Sequence, residues 1–118
     1  MKHFLRAVLL TLPLCAPAQP TRAEQSRIDA LLAAIEGSGC RFERNGTQYS
    51  AAQGAAHLRN KLESAGDRIQ TAAQFIEHIG TASSQSARPY RVLCPGQPAQ
   101  VSRVWLEKRL AEISAARK

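Results

Sequence analysis

Cysteine, acidic side chains and aromatic rings are all in short supply in this chain, which has 3 Cys, 9 Asp+Glu and 5% aromatic residues among 118. Each shortage excludes a class of protein. A bilayer-crossing helix needs about 20 apolar residues, and the longest apolar run, Ala7–Cys15, falls far short of that. A multi-span membrane protein is therefore excluded. No aromatic is interleaved with basic residues, so the stacking platform of a single-stranded nucleic-acid binder is missing. No two cysteines have the C-x-x-C spacing of a thiol redox catalyst. There is no Gly-X-Y or heptad bias, which excludes a fibre. What is present is 44% hydrophobic residues, too many for a wholly disordered chain. The length suits one domain and excludes a large two-domain enzyme.

The basic excess begins at the N-terminus. Lys2 and Arg6 precede the apolar run, and small residues follow at Ala16-Pro17-Ala18 and Thr21-Arg22-Ala23. A positive start, a short apolar middle and a small-x-small exit are the parts of a secretory signal. Residues 1–23 are expected to be that signal, cleaved after Ala23 or alternatively after Ala18. Residues 24–118 then form a single mature domain in the periplasm. Lipidation at Cys15 is disfavoured by the large Leu14 and by Pro13. The discarded segment carries Lys2, Arg6 and Arg22 and no acid, so the net charge falls from +7 to +4. A domain of that charge without a basic block needs no nucleic-acid partner.

Cys40 and Cys94 remain. In an oxidising compartment two cysteines are expected to pair. The bond would close a loop of about 55 residues and contribute about 4 kcal/mol on the chain-entropy estimate.

Local patterns place the elements. Ser26-Arg27-Ile28-Asp29 fits a capping box, and Ile28, Leu31, Leu32 and Ile35 form one helical stripe ended by Gly37 and Gly39. Asn45-Gly46 between two alternating runs signals a hairpin with a two-residue turn. Its register sets Arg44 opposite Thr47, Glu43 opposite Gln48 and Phe42 opposite Tyr49. Ser50-x-x-Gln53 opens a second helix (Ala51, Ala55, Leu58, Leu62 and Ala65 inward), and Thr71-x-x-Gln74 opens a short third one. Thr81–Pro89 is polar loop, and Tyr90–Cys94 is a third strand. The last helix runs from Val101 to about Arg117. Antiparallel pairing of the first and third strands would bring Cys40 and Cys94 together, either directly or offset. It would also set Phe42 near Val92 and Arg44 near Tyr90. The expected fold is α+β: a three-stranded antiparallel sheet, a hairpin plus one later strand, packed against about four helices.

Several short blocks fall in order along this framework: Arg44-Asn45-Gly46, His57-Leu58-Arg59-x-Lys61-Leu62, Ile69-x-Thr71-Ala72-x-Gln74-Phe75-Ile76, Ser83-Ser84, Pro89-Tyr90 and Pro95-Gly96. The pattern resembles the YfeK-like family of small exported proteins from Gram-negative bacteria, over most of Ile28–Leu110. The resemblance implies a periplasmic protein and no assigned activity. Ala87 departs from the family's usual glycine, and Cys40 and Cys94 are not general to it.

Candidate chemistry is thin. His57 and Lys61 lie four apart on one helical flank, where a neighbouring cation disfavours the protonated imidazole. The plain reading is a boundary histidine satisfied by a hairpin carbonyl. Zinc would need converging ligands, yet Cys40, His57, His78 and Cys94 include no short ligand pair, so no metal and no cofactor are expected. A small hydrolase using His57 with a loop serine is the rival reading, but there is no G-x-S-x-G elbow. The favoured reading is a binding or interaction module without chemistry. Arg44, His57, Lys61, Ser83, Ser84, Arg88 and Tyr90 would gather beside the hairpin to receive an anionic group or a protein partner.

Overall fold

The computed structural model describes residues 7–11 and 19–116. Lys2, Arg6, Cys15 and the Ala16–Ala18 exit of the expected signal lie outside the described residues. Helix α1 (Arg22–Glu36) starts earlier than the Ser26 box suggested. Its N-cap is Thr21, whose hydroxyl accepts from the Glu24 amide at 3.2 Å. Thr21-x-x-Glu24 is itself a capping-box sequence, and it wins because it lets the helix extend by a turn. The reciprocal arm is not made. The Glu24 carboxylate instead takes the Ala72 amide at 2.8 Å and Arg27 at 2.8 Å, tying the start of α1 to a later helix. The expected stripe of Ile28, Leu31, Leu32 and Ile35 is buried.

Strands β1 (Arg41–Arg44) and β2 (Thr47–Tyr49) form the hairpin in the expected register. Asn45 (φ 51°) and Gly46 (φ 79°) both take the positive φ that a two-residue type I′ turn requires. Helix α2 (Ala51–Ala65) opens with a complete capping box between Ser50 and Gln53. A 3₁₀ turn (Gly66–Arg68) leads to α3 (Ala72–Gln74), which widens at once into a π-helical turn over Phe75–Gly80. Strand β3 (Arg91–Leu93) pairs antiparallel with β1, setting Phe42 opposite Val92. Arg41 opposite Leu93 makes Cys40 and Cys94 direct neighbours, with Cα atoms 4.2 Å apart and a disulfide between them.

The sheet has four strands rather than three, in the order β2-β1-β3-β4. Strand β4 (Gln100–Val101) pairs with β3 and runs straight into α4 (Ser102–Ala115). Two residues show no alternation, so this strand left no periodic trace. The helix start is fixed instead by the Ser102 amide, which donates to the Tyr90 carbonyl at 2.7 Å. Phe42, Tyr90 and Val92 meet the apolar faces of the helices in one core, with Leu31, Leu58, Phe75 and Leu106 fully enclosed. Gly54 permits the close approach of strand to helix: a Cβ there would lie 2.7 Å from Phe42 Cβ, so only glycine lets β1 seat against α2. Among the described residues no helix is long and apolar enough to cross a membrane.

Candidate functional site

Arg44 ends β1, His57 and Lys61 stand one turn apart on α2, and Tyr90 precedes β3. The sheet pairing and the α2 capping box together aim all four at one place. Tyr90 is 1% exposed, and its hydroxyl is the hub. Lys61 Nζ donates to it at 2.9 Å, and His57 Nε2 lies 3.1 Å from it. Lys61 also donates to the carbonyls of Ile79 (3.0 Å) and Ala82 (2.9 Å), so its three N–H donors are all engaged. Arg44 Nη1 sits 3.1 Å from Nδ1 and 3.3 Å from Nε2 of His57, and its guanidinium stacks over Tyr49. The hairpin carbonyl expected for His57 is replaced by two side chains, because the β1 register delivers Arg44 to that point.

Charge is the distinguishing property of the cluster. Among the described residues the ion pairs involve other cations, and no carboxylate pairs with Arg44 or Lys61. Arg44 can only donate, so His57 meets it with a lone pair and is the neutral imidazole. Burial, then the positive fields of Arg44 and Lys61, hold the His57 pKa below its ordinary value. Burial and Arg44 likewise lower that of Lys61, while burial raises that of Tyr90.

The remaining expected residues lie on the 83–88 loop. Ser83 is buried and its hydroxyl is a turn anchor, accepting from Asn45 Nδ2 at 3.2 Å and from the amides of Gln85 and Ser86. Ser86 in turn donates to Asn45 Oδ1. Asn45, besides making the turn, thus clamps the hairpin tip to the 83–88 loop. Arg88 is exposed and its guanidinium reaches over Gly46. Ser84 is exposed and faces the hollow beside Lys61. Among the described residues the hydrogen-bond partners of His57 are Arg44 and Tyr90, not a loop serine.

Two hollows flank the cluster and share His57 and Asn60 as a common wall. One of about 670 Å³ has Lys61, Ser64, Arg68 and His78 around it. The other, of about 300 Å³, is bounded by Arg44, Tyr49, Phe42 and Ala56. Asn60 carried no motif of its own; its place three residues after His57 was the available signal.

Ala87 adopts φ 60°, the left-handed region that favours glycine. Holding a Cβ there costs about 1–2 kcal/mol, partly offset because glycine costs about 0.5–1 kcal/mol more to order. Ala87→Gly is expected to stabilise the protein by about 0.5–1 kcal/mol, read from the urea midpoint at unchanged m-value.

A small α+β domain with a charged cluster at a hairpin–helix junction is the class that the fold and site define. The model of a family of unknown function (DUF5329) matches residues 22–114. The chain belongs to this family. It is 40% identical over 85 residues to the uncharacterized protein YfeK of Salmonella typhimurium (strain LT2), an alignment covering 71% of this chain and 69% of that protein. No solved structure matches the chain.

Proposed function

We propose that this is an exported periplasmic protein that binds an anionic group, without performing chemistry on it, at the Arg44–His57–Lys61–Tyr90 cluster. The observation that carries the reading is a neutral histidine held between two cations that no carboxylate compensates. An anion supplies the missing charge, Arg44 and a protonated His57 give it directed donors, and Lys61 contributes field alone. Export is supported by the N-terminal cations and apolar run and by the Cys40–Cys94 disulfide. Intact mass of the natural product tests it: a chain beginning at Gln19, which keeps the Thr21 cap of α1, or at Glu24, which loses it, is expected, and one retaining Met1 refutes export.

The binding test follows His57 by NMR. Without ligand, its midpoint lies below the ordinary 6.5, so the neutral imidazole contributes stability above that pH, lost as pH falls through the folded-state value. Inorganic phosphate is expected to raise the midpoint, because an adjacent anion favours imidazolium. Arg44→Ala is expected to weaken that phosphate response. A His57 titration indifferent to phosphate at 50 mM would refute the anion site.

A further inference from the structure

The two hollows along α2 bear on what kind of anion the cluster takes. An inorganic ion needs neither of them. Sites for small organic molecules enclose about 300–1,000 Å³, and each hollow is in that range at about 670 and about 300 Å³. Their chemistry differs. Around the wide hollow stand the cations Lys61 and Arg68, the His78 imidazole, the Asn60 amide and the Ser64 hydroxyl, and among the described residues no acid lines it. The narrow one is walled by Phe42, Tyr49, Gly54 and Ala56, with Arg44 at its margin and again no acid. The hollows meet at His57 and Asn60, one helical turn apart. A charged head placed at that meeting line lies beside Arg44 on one side and in the field of Lys61 on the other. Whatever is attached to the head on the Tyr49 side meets aromatic and aliphatic surface.

We propose that the site takes an amphipathic organic anion, a phosphoryl or carboxylate head joined to a flat apolar group, with the head at His57–Asn60 and the apolar group against Tyr49 and Ala56 in the narrow hollow. This rests on the anion-binding reading above and adds the class of ligand. Apolar contact in the narrow hollow supplies affinity that a bare ion lacks, and the Tyr49 ring, one face of which carries Arg44, adds aromatic contact.

The test compares inorganic phosphate with phenyl phosphate on the full mature protein, by calorimetry and by amide shifts in NMR. Phenyl phosphate is expected to bind at least tenfold more tightly and to shift the Gly54 and Ala56 amides as well as those of His57 and Asn60. Ala56→Leu, an exposed helical position that tolerates a larger side chain, is expected to bring the ratio of the two affinities close to one by filling the narrow hollow. Equal affinities in the wild type, or tighter phenyl phosphate binding with Gly54 and Ala56 unmoved, would overturn the amphipathic assignment and leave the anion site standing. Failure of both probes to bind would remove the anion site itself.

Discussion

Replacing Cys40 and Cys94 together by alanine is expected to lower the unfolding free energy by about 4 kcal/mol. The two residues are 54 positions apart, and a crosslink over such a span removes about 14 cal/mol/K of chain entropy from the unfolded state. The pairing needs no distortion of the sheet register, since Arg41 opposite Leu93 already makes the cysteines neighbours. Native domains are stable by about 5–15 kcal/mol in total, so the loss takes a large share. At about 4–8 °C per kcal/mol for a domain of this size, the melting temperature should fall by about 15–30 °C. Calorimetry of the oxidised protein against the double variant measures it. A drop of less than about 5 °C would show that the sheet and core carry the fold without the crosslink.

Lys61→Met is the second large effect, expected to cost about 2–3 kcal/mol. The stem of Lys61 can be matched by methionine, so packing is largely kept. What is lost is the ammonium that satisfies the Ile79 and Ala82 carbonyls and the Tyr90 hydroxyl. A hydrogen bond from a charged donor contributes about 1.5–3 kcal/mol, and these three share one partly exposed group, so their contributions do not sum. Ile79 belongs to the π-helical turn, whose last carbonyls need a cation or water. The urea midpoint of Lys61→Met checks the magnitude. A variant as stable as wild type would mean that water replaces the ammonium at no cost, and Lys61 would revert to a purely electrostatic role. Arg44→Ala is expected to cost less than about 1 kcal/mol, because its contacts to His57 and Tyr49 lie at the solvent margin. The contrast separates the cation that builds the site from the cation that is free to serve a ligand.

Much of this framework could be read directly from residue types. Asn45-Gly46 set the hairpin register, Ser50 and Gln53 the start of α2, and Cys40 with Cys94 the partner of the third strand. These signals are local or covalent, and each has one geometric outcome. Signals that depended on tertiary competition were misread or absent. Ser26 yielded to Thr21, whose hydroxyl takes the Glu24 amide while the Glu24 carboxylate ties the start of the helix to the Ala72 amide. Strand β4 exists because β3 offers a free edge, which two residues cannot announce. In the site, the spacing of His57 and Lys61 on a helix was legible, and pairing through β3 brought Arg44 and Tyr90 to them as the register implied. The engagement of Ser83 and Arg88 with the hairpin tip was not legible, since it follows from the side chain of Asn45 turning toward the 83–88 loop.

The crosslink also has a topological consequence. Cys40 and Cys94 enclose β1, β2, α2, α3, the long loop and β3 in one covalent ring, and every residue of the charged cluster lies inside it, while α1 and β4–α4 are tails outside. A protease that nicks the exposed 84–88 segment therefore opens the ring without freeing either piece, so that Arg44, His57 and Lys61 stay tethered to Tyr90 and the broken chain can close on itself again.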